Sequence, residues 1–160
     1  MPILYMLVGI PGSGKSFFVQ NNLHIMFPTR QFVILSTDNF IDAEAASQSK
    51  TYGEVFKSSI KRATQSMNAD LAKAVKNGDD IIWDQVNVTA KSRAAKLAQI
   101  PDTYHKVAVV FPTPDNEELE RRLASRPGKT IPYNIVMGMM SQLERPTIDE
   151  GFDEVVTAYA

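Results

Sequence analysis

Residues 9 to 16 read Gly9-Ile10-Pro11-Gly12-Ser13-Gly14-Lys15-Ser16 and satisfy the pattern GxxxxGK[ST] at every fixed position. This stretch constrains the chain more than any other, because the pattern works only as a loop that leaves a strand and opens a helix. Gly9, Gly12 and Gly14 allow the backbone to turn tightly and aim its N–H groups at phosphate oxygens. Lys15 is placed to reach the β- and γ-phosphates of a nucleoside triphosphate, and the Ser16 hydroxyl to hold Mg²⁺. The following helix would add the positive end of its dipole beneath the phosphates. The flanks comply. Ile3-Leu4-Tyr5-Met6-Leu7-Val8 has the length and composition of a strand, and Phe17-Phe18-Val19 with Leu23 begin a helical apolar pattern. The expected nucleotide contacts are Gly9, Pro11, Gly12, Ser13, Gly14, Lys15, Ser16 and Phe17.

The rest of the chain alternates in the same way. Apolar β-rich runs recur at Ile3–Val8, Phe32–Ser36, Asp80–Trp83 and Lys106–Phe111, with a final one at Glu154–Tyr159. The clearest helix spans Glu54 to Lys76, where Val55, Ile60, Ala63, Met67, Leu71 and Val75 share a face and Gly78 marks the stop. Further helices are expected over Ala90–Ala98, from a Thr113 cap with Pro114 in the first turn, and from Pro132 with Ile135, Val136, Met139, Met140 and Leu143 on one face. Strands alternating with helices behind a P-loop predict an α/β fold of the P-loop NTPase type, a parallel sheet with helices on both faces. At 160 residues, with no repeat or linker, the whole chain 1–160 reads as a single P-loop domain.

Charge and cysteine content narrow the function. A net charge of −1 gives no overall basic field for long nucleic acid. The absence of cysteine rules out disulfides and thiolate metal sites and fits a reducing cytoplasm. The apolar start lacks a basic n-region and runs straight into the loop, so it does not read as a signal peptide, and no run reaches membrane-spanning length.

Three further constellations carry chemistry. The second strand ends in Ser36-Thr37-Asp38-Asn39, and ligands gather at the carboxyl ends of parallel strands. Asp38 is therefore a candidate base for an attacking hydroxyl, or else a cap or an organiser of Mg²⁺ waters; position alone does not separate these. The third strand leads into Trp83-Asp84-Gln85-Val86-Asn87, where Asp84 is either a Walker B carboxylate for Mg²⁺ or a structural acceptor. Gln85 and Asn87 are candidates for positioning loops or acceptor, and Trp83 reads as core. Finally, Arg122 and Arg126 fall one helical turn apart ahead of a Pro127-Gly128 hinge, which suits a small arginine-bearing lid closing on phosphates. His24, His105, the Met137–Met140 group and the acidic run from Asp149 to Glu154 read as surface, strand edge, core filler and a solvated turn.

In this order the motifs resemble the polynucleotide 5′-hydroxyl kinase family, the phage enzyme and the kinase domain of the mammalian kinase-phosphatase alike. The likeness rests on Gly9–Ser16, Thr37-Asp38-Asn39, Trp83–Asn87, the Leu119–Lys129 lid and Leu143–Phe152, and so runs through nearly the whole chain. A P-loop domain of nuclear ribonucleoprotein U-type proteins is similar around Asp84–Asn87 and Gly128–Pro132. The resemblance implies a single P-loop kinase domain over 1–160, with Asp38 as general base, Lys15 and Ser16 serving ATP and Mg²⁺, and Arg122 and Arg126 on the donor phosphates. Where the phage enzyme has arginines beside and three residues after its base, Thr37 and Ile41 stand here, with Lys50, Lys57, Lys61 or Arg62 as replacements for the acceptor's phosphate. The expectation is ATP-dependent transfer to the 5′-hydroxyl end of DNA or RNA. Two alternatives stay open: a small hydroxyl acceptor such as a nucleoside, nucleotide or sugar, and an ATP-gated interaction module with weak hydrolysis.

Overall fold

The computed structural model describes residues 1–126, 128–129 and 131–158. The apolar runs become strands β1 (Ile3–Val8), β2 (Phe32–Leu35), β3 (Asp80–Trp83), β4 (His105–Val110) and β5 (Glu154–Thr157). All their pairings are parallel, and the sheet order is β2-β3-β1-β4-β5. The expected strands lie within a residue of these, except that β5 ends at Thr157 and Tyr159 falls outside the described residues.

Strand β1 sits at the centre, with Leu4 in register with Ile81 on one side and with Lys106 on the other. Its side chains alternate between two apolar layers. Leu4 and Met6 join Leu35, Met67, Leu71, Ile81 and Trp83, whereas Leu7 joins Phe18, Ile82, Val107 and Val109. A strand covered on both faces must be apolar throughout, which is why Ile3–Val8 reads as an unbroken run. Trp83 is core, as expected.

Helices cover the sheet. Behind the P-loop, α1 (Lys15–Phe17) passes through a π-type segment at Phe18–Asn22 into α2 (Leu23–Met26). Then come α3 (Thr37–Ser47), α4 (Tyr52–Asn77), α5 (Ala90–Leu97), α6 (Asn116–Ala124) and α7 (Tyr133–Gln142). Helix α4 opens with a capping box, in which Glu54 N donates to Thr51 Oγ1 at 3.3 Å and Thr51 N to Glu54 Oε1 at 3.0 Å. It closes at Gly78, φ 67°.

Two helix expectations are corrected. The cap of α6 is Asp115, whose carboxylate accepts from Glu118 N at 2.9 Å. It is a stronger acceptor than the Thr113 hydroxyl, and Pro114 biases Thr113 toward extended backbone ahead of the helix. On α7, Val136 is fully buried against Ile10, Val88 and Leu119, while the adjacent Ile135 is 48% exposed. Consecutive helical residues point about 100° apart, so the two cannot share one face. Met137 is likewise exposed rather than filler.

The acidic run is not simply solvated. Glu150 pairs with buried Arg93, Asp153 accepts from Lys106 N at 2.8 Å, and Glu154 lies 2.6 Å from His105 Nε2. Arg93 also donates from Nη1 to Asn87 O at 2.9 Å, tying the segment ahead of β5 to the loop that follows β3.

Lys96 on α5 hydrogen-bonds Asn87 Oδ1 and lies 5.4 Å from the Trp83 ring centroid. Burial pulls its ammonium down to about 8. Below that value the folded chain carries a charge its surroundings disfavour, and the penalty is relieved as pH rises toward the ordinary lysine value. Denaturant titrations of the wild type and Lys96→Met are therefore expected to converge or cross in the wild type's favour between pH 8 and 10; parallel curves would exclude a depressed Lys96.

Candidate active site

The carboxyl ends of the strands carry one continuous rim. The P-loop follows β1, Ser36–Asp38 follows β2, Asp84–Asn87 follows β3 and Phe111–Pro114 follows β4. Backbone bonds knit the rim together: Gly9 N to Val86 O at 3.0 Å, Asp84 N to Leu35 O at 2.8 Å and Phe111 N to Val8 O at 2.8 Å. Asn87, in left-handed backbone at φ 48°, donates from Nδ2 to Leu7 O at 2.8 Å. Of the two polar residues after Asp84, Asn87 is thus a buried brace. Gln85 accepts from Trp83 Nε1 and donates to the Thr37 hydroxyl at 3.3 Å, joining the ends of β3 and α3.

Within the P-loop, Gly12 has φ 84°, and a Cβ there would stand 3.0 Å from Leu119 Cδ1. The loop thus rests directly on α6. Lys15 Nζ donates to Gly9 O at 2.7 Å and Ile10 O at 2.9 Å. Burial draws the Lys15 ammonium down to about 8, opposed by the Asp84 and Asp38 carboxylates and reinforced by Arg126. Ser13 Oγ is buried with no hydrogen-bond partner among the described residues, a donor suited to a phosphate oxygen. Pro11 is half-buried, and Ser16 and Phe17 are exposed.

Asp84 is half-buried at the end of β3. Burial pushes its carboxyl above the ordinary range, with the Lys15 charge opposing and Asp38 adding to the rise. Asp38 lies in the first turn of α3 and is not its cap. Ser36 is the cap there, accepting from Asn39 N at 3.2 Å. Asp38 Oδ1 accepts from Tyr52 Oη at 2.6 Å. Tyr52 is a site residue that sequence pattern missed. Burial first, then the neighbouring Asp38 carboxylate, raise its hydroxyl well above the ordinary tyrosine range.

Arg122 is held from two sides, Nε donating to Glu118 Oε1 at 2.8 Å and Nη1 to Gly12 O at 3.0 Å. Hydrogen bonds from Arg121 and Arg122 hold the Glu118 carboxyl down to about 2. Arg126 is not one helical turn further along, since α6 ends at Ala124. It lies past the cap, where Arg126 N reaches Leu123 O at 3.4 Å, and a residue before proline is disfavoured in helix. Its charge still acts on Lys15 and Tyr52. Of the expected hinge, Pro127 lies outside the described residues, and Gly128 has φ 71°.

Together Lys15, Asp38, Asp84, Arg122 and Arg126 make one charged cluster around the P-loop. Beside it opens a cavity of about 140 Å³ lined by Ser13, Gly14, Phe17, Thr113, Pro114 and Arg122. Among the described residues no group of three or more His, Asp or Glu side chains converges on a metal position. The Ser16 hydroxyl and Asp84 carboxylate are nonetheless a fitting donor set for Mg²⁺, which keeps several waters and takes one or two protein oxygens beside substrate phosphates. No helix among the described residues is long and apolar enough to cross a membrane.

A family model described as an AAA domain matches residues 4–146. Among solved structures, a chain of the Pnkp1/Rnl/Hen1 RNA repair complex is 26% identical, with a TM-score of 0.66 over 95% of this chain and 46% of that one. A putative kinase from Chloroflexus aurantiacus is 16% identical, with a TM-score of 0.67 over 98% and 87% of the two chains. Shikimate kinase from Acinetobacter baumannii is 15% identical, with a TM-score of 0.55 over 100% and 85%. The chain spans about half the length of the first structures it matches, 46%, 51% and 42%. The fold is that of the P-loop kinases.

Proposed function

The chain belongs to the AAA domain family, and from that premise we propose that it transfers the γ-phosphoryl group of ATP to the 5′-hydroxyl end of an RNA or DNA strand. The observation that carries this reading is the placement of Asp38. Its carboxylate stands in the field of both Lys15 and Asp84 while remaining exposed to an incoming acceptor. A phosphotransferase needs that juxtaposition, a base on the acceptor side of the phosphate cradle.

In the proposed reaction the P-loop and Lys15 hold the triphosphate, and the base of ATP occupies the cavity beside Phe17 and Pro114. Asp38 takes the proton of the acceptor hydroxyl as its oxygen bonds to the γ-phosphorus. The bond from that phosphorus to the β–γ bridging oxygen breaks, and ADP leaves. Arg122 and Arg126 offset the charge that spreads over the moving phosphoryl group. Ser16 and Asp84 would hold Mg²⁺, which when bound neutralises phosphate charge. The absence of cysteine suits a cytoplasmic setting.

A second reading, a small hydroxyl acceptor, is favoured by Ile41. That position is fully buried between α3 and α4 and cannot grip an acceptor phosphate. Arg62 is committed to Glu44, with contacts of 3.2, 3.0 and 2.7 Å. Lys50, Lys57 and Lys61 are exposed and available to a strand.

The deciding experiment offers γ-labelled ATP with 5′-hydroxyl RNA and DNA oligonucleotides, nucleosides, nucleoside monophosphates and sugars. Label is expected on the oligonucleotides, with an acceptor KM that rises steeply with added salt as phosphate contacts are screened. Label confined to a small acceptor, with a salt-insensitive KM, would replace the polynucleotide. Binding of ATP with transfer to none of them would leave an ATP-gated interaction module.

A further inference from the structure

Tyr52 opens α4, yet the helix does not need its hydroxyl. The Thr51–Glu54 capping box already closes that end, and Ile41, Ala45, Val55 and Ala63 pack α3 against α4. The hydroxyl instead reaches Asp38 Oδ1 at 2.6 Å. The ring is held from two directions, 4.9 Å beneath Lys129 Nζ and 5.7 Å from the Phe56 ring at 39°. Lys129 donates onward to Asp42 Oδ2 at 2.9 Å, one turn along α3 from Asp38. One residue earlier, the Gly128 carbonyl accepts from Gly53 N at 3.1 Å. A Cβ at Gly128 would stand 2.9 Å from Thr51 Cβ, so only glycine lets the two backbones meet this closely. The segment that follows Arg126 is therefore clasped to the hairpin that carries Asp38. Exposed ion pairs such as Lys129–Asp42 contribute little to stability, so the consequence of this clasp is positional.

We propose that Tyr52 is a positioning residue for phosphoryl transfer: it holds Asp38 by Oδ1, leaving Oδ2 to take the acceptor's proton, and Lys129 fixes Tyr52 so that the base and the arginine-bearing segment are set as one unit. The inference rests on Asp38 being the base. A charged acceptor held by a neutral hydroxyl donor makes a short, directional bond, and orienting a reacting group is where much of a phosphotransferase's acceleration arises. The raised Tyr52 hydroxyl stays protonated and keeps its donor role.

The test measures steady-state transfer from γ-labelled ATP to 5′-hydroxyl RNA and DNA oligonucleotides, nucleosides and sugars. The variants are Tyr52→Phe, Asp38→Asn and their combination. Tyr52→Phe keeps the ring under Lys129 and is expected to lower kcat by roughly 10- to 100-fold, while KM for ATP moves by less than about twofold. On the Asp38→Asn background the same change is expected to add less than about twofold, because a residue acting through Asp38 has nothing left to position. Lys129→Ala should lower kcat in the same sense, and Lys129→Arg, which retains both the charge and the stacking, should restore it.

A Tyr52→Phe enzyme with wild-type kcat would overturn the inference, as would a full additive loss on the Asp38→Asn background. In both cases an inactive Asp38→Asn would leave the base assignment standing. Asp38→Asn turning over like the parent would remove the base assignment and Tyr52's role with it. A wild type that labels none of the acceptors would remove both.

Discussion

Asp38→Asn is expected to lower phosphoryl transfer by about a thousandfold or more, within the span general-base catalysis covers, while ATP affinity changes by less than about threefold because an exposed charge is well screened. Asparagine keeps the shape and still accepts from Tyr52 Oη through Oδ1, so the contact at 2.6 Å survives. What is lost is the ability to take a proton. The carboxylate makes no hydrogen bond to the P-loop among those described, and its link to the phosphate cradle is the field it exerts on Lys15. Calorimetric titration with ATP beside labelled-transfer kinetics separates the two effects. Strong turnover in the variant would leave Asp38 as a structural residue of α3. Equal losses in transfer and ATP affinity would instead place it on the donor side.

The largest expected effect on stability lies away from the chemistry, at Arg93. Its side chain is fully buried, with Nε at 2.8 Å and Nη2 at 3.1 Å from the Glu150 carboxylate. Burial pushes the Glu150 carboxyl up, but hydrogen bonds from Arg93 and the Thr147 amide outweigh it and hold it below the ordinary range. Arg93→Ala removes one partner of a buried pair and opens a space, and is expected to cost about 3 kcal/mol. For a domain of this size that is a fall of roughly 6–12 °C in Tm. A companion pair of apolar replacements, Arg93→Met with Glu150→Leu, should recover much of the loss, because no charge is then left without its counterpart. Thermal melts of Arg93→Met, Glu150→Leu and the double variant read the coupling directly. A single Arg93→Ala variant that melts with the wild type would show that the segment between α7 and β5 is held against α5 by other means.

The contrast between these residues explains what could be read in advance. The strands at Ile3–Val8 and Asp80–Trp83 were legible because burial on both faces forces an unbroken apolar run. Helix α4 was legible because Val55, Ala63, Met67 and Leu71 repeat at helical spacing over many turns. Helix α3 was not. Thr37–Ser47 carries Asp, Asn and Ser, which favour turns and caps, and its buried side is only Ile41 and Ala45. Asp38 is legible as a strand-end carboxylate, but the sequence does not show that Ser36 caps the helix and Asp38 lies in its first turn. The P-loop residues declared themselves because glycine spacing has a backbone meaning that holds in any surroundings. Tyr52, Lys129 and Glu150 did not, since their partners stand 14, 87 and 57 residues away and no local pattern marks such pairs. Arg126 was assigned to the lid on helical spacing, and proline next in sequence is the physical reason that the helix ends first.

The central position of β1 also governs how the chain must be made. Its two neighbours in the sheet are β3 and β4, whose first paired residues lie about 75 and 100 residues downstream. During synthesis at about 5–20 residues per second, this central strand waits several seconds for either of its sheet partners. Through that interval the P-loop hangs from an unpaired strand and has no rim to join. Folding is consequently dominated by distant contacts and is slow for a chain of this size. The nascent chain depends on protection of Ile3–Val8 until Asp80–Trp83 arrives, and variants that weaken β3 will fail first as aggregates during expression rather than as unstable purified proteins.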